Sequence, residues 1–384
     1  MSSPTVSGDQ LGPDARAQRK RVHWGSLFVA VVVVTAAGVL FAGLFAAVGS
    51  DRHDALAWDF RATYYPAAEA VVNGSSPYPD DVDGVLDERT VYAYPPQLAF
   101  VIAPLTALPI DVAAVVAMLA SLAALMGAIA LVGVRDIRCF ATLILWAPGW
   151  NALEMANVSA LLALLLALAW RSRAAPLSLA TALAVMVSIK LFLWPLFVWA
   201  AFTRRVTAAI LGSGFAIALT AVSWALIGFA GLGAYPDLLE RVAEQESYSL
   251  ERVGLGLGLD SHSSYLATFI VSGLLTLLCV TWGRRGEEER ALLAAVLAAL
   301  ALTPVLWLHY LVVLAVPLAL FRPRFSPLWL LPVVLWICPR AEVADNVTLF
   351  VPAGVAAILA VALLRSSVTG NAARVDHLHA TGRA

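Results

Sequence analysis

The chain has 384 residues, 61% of them hydrophobic and 13% charged, with a mean hydropathy of +0.82 and a formal net charge of −1. Soluble domains are less apolar and about a quarter charged, so this composition excludes an ordinary soluble domain and points to a helical integral membrane protein. The near-neutral balance also argues against nucleic acid, whose recognition needs a basic surface.

The first 22 residues form a polar tail that ends in Arg16, Arg19, Lys20 and Arg21. The apolar run 24–48 is too long for a signal-peptide core and lacks a clear small-residue cleavage site, so it is expected to remain as a signal anchor. A span needs about 20 apolar residues, and basic loops stay on the cytoplasmic side. The later basic clusters are Arg135/Arg138, Arg171/Arg173, Arg204/Arg205, Arg284/Arg285/Arg290, Arg322/Arg324 and Arg365. If all of them lie inside, the chain must run out and back between each neighbouring pair. The paired segments are 24–48 with 110–134, 139–150 with 154–170, 175–189 with 191–203, 206–230 with 263–282, 291–307 with 310–321, and 326–338 with 346–364. The expected fold is therefore an all-α transmembrane bundle of about 12 segments, with both termini cytoplasmic. One membrane domain covers 23–365, and a second polar tail covers 366–384. Several segments are short for a full crossing, which predicts broken helices lining a cavity.

The first outer loop, 49–109, gathers Asp51, Asp54, Asp59, Glu69, Asp80, Asp81, Asp83, Asp87 and Glu88. From Phe60 to Val72 the apolar and aromatic residues recur at three-to-four spacing, which predicts an amphipathic helix on the membrane surface. Asn73-Gly74 should end it, and Ser75 to Asp83 is turn-rich. Pro95-Pro96 opens a second short apolar segment, 97–107. Asp59 then sits at the lip of a groove, just past the first span. A helix N-cap is the plainer explanation of such an Asp. Flanking by Trp58 and Phe60 would nonetheless raise its pKa, which suits a general base for a hydroxyl.

Further along, turns are expected at Gly149-Trp150-Asn151, at Lys190 and at His309, all on the outer side. Lys190 is one of two lysines and lies deep in apolar sequence. Intramembrane charges are costly and tend to be functional, so it is a candidate for binding a lipid phosphate, with a snorkelling anchor as the alternative. His309 could donate to a leaving phosphate or orient an acceptor. Glu154 and Asn157 face the same compartment and could contact sugar hydroxyls; Asn157 could equally be a helix cap. Gly254 to Gly258 is not a phosphate loop, because no strand precedes it and no lysine follows. Cys139, Cys279 and Cys338 lack metal-ligand spacing and read as packing residues.

An ordered set of short motifs runs through the chain: Asp59-Phe60, Tyr64-Tyr65, Asn73-Gly74 with Pro77-Tyr78, Tyr94-Pro95-Pro96, Pro104 with Leu108-Pro109, Asn157-Val158-Ser159, Ile189-Lys190 before Trp194-Pro195, and Thr303-Pro304 before Trp307-Leu308-His309-Tyr310. Over roughly 25–360 this set resembles the GT-C superfamily, and more narrowly the PimE-like, polyprenyl-phosphate-mannose-dependent members of glycosyltransferase family 87. The resemblance implies transfer of a sugar, mannose favoured, from a polyprenyl-phosphate donor to a glycolipid or polysaccharide acceptor, with inversion. It implies Asp59 as general base and His309 beside it as a catalytic residue. Lys190 and His309 would hold the donor phosphate, and Tyr64, Tyr65, Tyr94, Glu154 and Asn157 would meet sugar or acceptor. No metal or other cofactor is expected, and the partners are the lipid donor, the acceptor and membrane lipids. At Trp150 to Asn157 the chain departs from the Gly-Gln-x-Asn run expected there, which bears on donor or acceptor identity.

A pentosyl (arabinofuranosyl) transferase shares the implied fold and carrier. A secondary transporter would instead favour mid-bilayer ionisable residues and an inverted repeat, and a non-catalytic membrane subunit is a third alternative. The Ala/Val-rich, Lys-poor composition fits a high-GC bacterium and hence a plasma-membrane location with the active site on the outer face.

Overall fold

The computed structural model describes residues 27–40, 42–43, 46, 56–79, 91–339 and 346–365, and among these the chain is helical without a strand. The two polar tails, the acidic run around Asp51 and Asp54, and Asp80 to Glu88 lie outside the described residues.

α1 (Leu27–Leu40) begins the described chain. A short π-helical turn, Phe60–Tyr64, leads into α2 (Tyr65–Val72), which stops at Asn73 and Gly74, the latter with φ +73°. α3 (Gln97–Ile102) tightens into a 3-10 stretch, Ala103–Ala107. Then come α4 (Ile110–Leu131), α5 (Ile137–Leu145), α6 (Ala147–Glu154), α7 (Ser159–Arg171) and α8 (Pro176–Ile189). α9 (Pro195–Phe202), α10 (Val206–Leu226), α11 (Tyr235–Ala243), α12 (Leu250–Gly256), α13 (Ser261–Arg284) and α14 (Glu288–Leu302) follow. A 3-10 stretch, Leu308–Leu314, runs into α15 (Ala315–Phe321); a second, Pro327–Ile337, precedes α16 (Val347–Arg365).

Four of these helices, α4, α10, α13 and α16, are long and apolar enough to cross a membrane, and a fifth span arises if the bent pair α6–α7 counts as one. α4 alone, with 22 residues, would reach about 33 Å at 1.5 Å per residue. The count of about 12 is thus not reached by full-length helices among the described residues. Most of the remaining predicted segments are short apolar helices of 10–17 residues. Pro148, Pro176 and Pro195 mark three of the helix starts, the last two close to the segment starts expected at 175 and 191. Each sits in the first turn of a helix, where a missing N–H costs little.

One predicted turn moves. Gly149-Trp150-Asn151 is not a turn but the body of α6, and the chain bends by 115° between α6 and α7 instead. The α5–α6 junction is tight at Gly149, where any Cβ would run into the carbonyl oxygen of Leu143. At the bend Ala156 adopts φ +48°, and the Asn157 side chain takes over the N–H of Ser159.

α14 is buried almost all round and forms the centre with α7, α15 and the stretch Leu308–Leu314. A helix apolar on every side belongs in such a place. α10 and α13 instead expose Ile210, Ile217, Leu226, Phe269, Leu274 and Leu277, a surface suited to acyl chains.

Three of the predicted basic loops meet at one end of this bundle. Glu288, at the start of α14, pairs with Arg173 at 3.2 Å and with Arg205 at 2.7 Å, and Arg205 Nε donates to the Arg173 carbonyl at 2.8 Å. Arg284 lies 5.1 Å from the ring centre of Phe202. From that end α7 leads back to Asn157, α8 forward to Lys190, and α14 forward to the segment that carries His309. These three candidate residues therefore share the opposite end of the bundle.

Candidate active site

Asp59 is set in place by backbone. The N–H of Ala57, in a left-handed conformation with φ +54°, donates to the carbonyl of Glu154 at 2.7 Å. This ties the chain entering the π-turn to the end of α6, just before the bend at Asn157. Asp59 does not cap a helix: its own backbone is helical (φ −61°, ψ −37°) and its side chain makes no capping bond. Its Oδ2 instead accepts from Asn157 Nδ2 at 2.5 Å. Burial holds the carboxyl above the usual carboxylate range, opposed by the hydrogen bond from Asn157 and by the positive charge of Lys190.

Asn157 has its orientation fixed by its other atom. Oδ1 accepts from the N–H of Ser159 at 2.8 Å and from its Oγ at 2.7 Å. Nδ2 must then face Asp59, and its second hydrogen goes to the Tyr64 hydroxyl at 3.0 Å. Having accepted there, Tyr64 is free to donate to the Tyr94 hydroxyl, 3.0 Å away. The Tyr64 and Tyr94 rings meet edge to face, with centres 5.3 Å apart.

Lys190 continues this chain. Its Nζ lies 4.6 Å from the Tyr94 ring centre and 3.8 Å from that of Tyr310, and it donates to the Tyr310 hydroxyl. The lysine is buried and enclosed by aromatic faces, an arrangement that would partly replace the lost hydration of its ammonium form. Next to Tyr310, the ring of His309 sits edge-on at 4.8 Å between centres. Its Nδ1 is 2.9 Å from Asn151 Oδ1.

The structure thus gathers Asp59, Tyr64, Tyr94, Asn157, Lys190 and His309 into one polar chain, with Asp59 and Tyr94 half-buried and the other four buried. It places Tyr65 and Glu154 elsewhere in the frame. The Tyr65 hydroxyl donates to the Leu108 carbonyl at 2.9 Å, fastening α2 to the start of α4. Glu154 is part-buried and receives Ala57 through its backbone. Sequence reasoning missed Tyr310 and Asn151. Tyr310 adjoins His309 within the Trp307-Leu308-His309-Tyr310 motif; Asn151 was hidden inside a segment expected to turn. It also missed Gln97, a buried amide that donates to the Ser188 carbonyl and accepts from Ser223 Oγ at 2.8 Å, locking α3 against α8 and α10.

A second aromatic group supports Tyr94 from behind. Tyr78 stacks on Trp224 with ring centres 4.9 Å apart, and its hydroxyl donates to the Tyr94 carbonyl at 2.8 Å. Tyr92 donates to the Pro95 carbonyl at 2.9 Å, and Tyr235 to that of Ala93 at 3.1 Å. Among the described residues no cluster of three or more His, Cys, Asp or Glu is gathered where it could hold a metal ion.

Fold and site together define a helical membrane protein with a largely buried polar chain at one end of its bundle. The chain belongs to glycosyltransferase family 87, whose family model matches residues 92–308, more than half of its length. It is accordingly a membrane glycosyltransferase. Asp59 and Tyr64 precede the matched region and His309 directly follows it, so their place in the site rests on the geometry above. No curated protein and no solved structure matches the chain.

Proposed function

We propose that the enzyme transfers a sugar, mannose favoured, from a polyprenyl-phosphate donor to a hydroxyl of a glycolipid or polysaccharide at the outer face of the plasma membrane. Asp59 is the general base. With Oδ2 held by Asn157, Oδ1 takes the proton of the acceptor hydroxyl. The acceptor oxygen attacks the anomeric carbon from the face opposite the phosphate, the bond from that carbon to the phosphate oxygen breaks, and polyprenyl phosphate leaves with inversion at the sugar. Lys190, steadied by Tyr310, supplies the positive charge on which the leaving phosphate settles. Tyr64 and Tyr94 present aromatic faces and hydroxyls to the sugar.

The observation that carries this reading is the joining of a carboxylate with a raised pKa to a buried lysine through Asn157, Tyr64 and Tyr94. Base and phosphate-binding cation are the two charges that an inverting transfer from a lipid phosphate requires. The position of the site opposite the Arg173–Arg205–Glu288 end supports an outer-face location through the positive-inside rule.

The test uses purified full-length protein in lipid nanodiscs with radiolabelled polyprenyl-phosphate mannose, polyprenyl-phosphate arabinose and glycolipid acceptors. Labelled glycolipid from the mannosyl donor is expected; product from the arabinosyl donor alone would reassign the sugar. Solute uptake into proteoliposomes with no covalent product from either donor would overturn the assignment.

A further inference from the structure

The two nitrogens of the buried His309 ring have different surroundings. Nδ1 is 2.9 Å from Asn151 Oδ1. A carboxamide oxygen only accepts, so Nδ1 carries the proton and donates it. Nε2 is buried and has no hydrogen-bond partner among the described residues. In the neutral ring it is therefore a buried, unpaired lone pair. A buried acceptor left unpaired is costly, and such atoms in native proteins call for an explanation.

The group that completes Nε2 must bring a hydrogen. An ionised phosphodiester cannot, because its free oxygens only accept. The neighbouring Lys190 Nζ donates to the Tyr310 hydroxyl and makes no hydrogen bond to Nε2. A sugar hydroxyl can bring one, since its O–H donates and the substrates of a glycosyltransferase carry several.

We propose that Asn151 is a positioning residue that locks His309 in its Nδ1–H tautomer, and that Nε2 accepts a hydrogen bond from a substrate sugar hydroxyl. This deepens the glycosyl-transfer reading and rests on it. It moves His309 away from the phosphate, which is left to Lys190, and makes it a reader of hydroxyl configuration.

Two measurements test it. The first needs no turnover: ¹⁵N NMR of full-length [¹⁵N]histidine-labelled protein in nanodiscs, above the ordinary imidazole pKa. The His309 signals are identified among the 6 histidines by their loss in His309→Gln. Nδ1 should be protonated and Nε2 bare; Asn151→Asp, which keeps an acceptor oxygen, should retain the Nδ1 proton, and Asn151→Leu should shift the ring towards the Nε2–H form. A protonated Nε2 in the unsubstituted protein overturns the proposal, and that spectrum decides even if Asn151→Leu fails to fold.

The second measurement uses donors and acceptors that lack one sugar hydroxyl at a time. Removal of one particular hydroxyl should lower kcat/KM about 10- to 100-fold, the cost of one unmet buried hydrogen bond, and should cost nothing further in His309→Ala. The partner hydroxyl lies on the donor or the acceptor according to which series shows this. Equal losses for every deoxy analogue in both proteins would overturn the proposal. Failure of the unsubstituted enzyme to use any lipid-phosphate sugar would instead count against the proposed function, with the tautomer still decided by NMR.

Discussion

Asn157 gives one amide hydrogen to Asp59 Oδ2 at 2.5 Å and the other to the Tyr64 hydroxyl at 3.0 Å, while its carbonyl oxygen is held by Ser159. One side chain at the α6–α7 bend thereby orients the proposed base and joins it to the tyrosine pair. The 115° bend is where the chain brings this amide to the π-turn.

Asp59→Asn should remove sugar transfer by about 10²- to 10⁴-fold, the usual contribution of a general base. Thermal stability at neutral pH should be equal or higher. The sign follows from linkage. With the folded carboxyl raised, the native state binds more protons than the unfolded chain between the unfolded pKa and the folded one. Stability therefore falls as pH rises through that window, and the substitution removes the cost. Activity runs the opposite way, rising over the same window as Asp59 ionises. Tm and kcat/KM measured against pH on both proteins check this; full transfer by the Asn variant would end the role of Asp59.

Asn157→Asp is the sharper companion. A second carboxylate against Asp59 disfavours ionisation of either group, so the acid limb of the rate profile should move to higher pH. Asn157→Ala strips the partners from Tyr64 and Ser159 as well as Asp59. It should cost about 1–3 kcal/mol in denaturant unfolding for buried groups left unmet. An unchanged pH profile in the Asp variant would show that Asn157 does not address the base.

Much of this site could be read from the sequence because charge is so scarce in it. Lys190 stands out as one of two lysines, and Asp59 as an acid beside aromatics at a predicted span end. The basic loops placed Asn157, Lys190 and His309 on a common side, and the structure gathers them. The helix ends at Ile189 and Asn73, where a lone charge and an Asn-Gly pair marked them, were legible for the same reason. Asn151 was not, because the turn expected at Gly149 to Asn151 turned out to be helix, and a neutral amide carries no periodic signal. Tyr65 shows the converse limit. Its pairing with Tyr64 marks both as binding residues, yet successive positions on a helix point about 100° apart, which sends Tyr65 to Leu108.

The topology is tested by labelling. Ser75 and Arg285 are exposed, the first beside the Tyr78 group and the second beside the Arg173–Arg205–Glu288 cluster. In a background lacking Cys139, Cys279 and Cys338, a membrane-impermeant maleimide should label Ser75→Cys on intact cells. Arg285→Cys should react only after permeabilisation. The reverse pattern would put the site on the cytoplasmic face and remove the outer-leaflet donor from consideration.

Gly231 is the last lever on the site, and it acts from a distance. Its φ of +81° is one that a side chain resists, and a Cβ there would stand 2.8 Å from the Cβ of Tyr78. Tyr78 cannot retreat, since it is stacked on Trp224 at 4.9 Å and edge-on to Tyr235 at 5.4 Å. Gly231→Ala should therefore cost about 1–3 kcal/mol through strain and overpacking, and push Tyr78 off the Tyr94 carbonyl. Tyr94 stands between Tyr64 and Lys190, so the shift should be felt as a raised KM for the proposed lipid donor. Tyr78→Phe separates the two effects. It keeps the stacking but loses the 2.8 Å bond to Tyr94, and should cost about 1 kcal/mol with the same direction of change in KM. If both variants bind donor as the parent does while losing stability, the aromatic group holds the bundle together without governing the site.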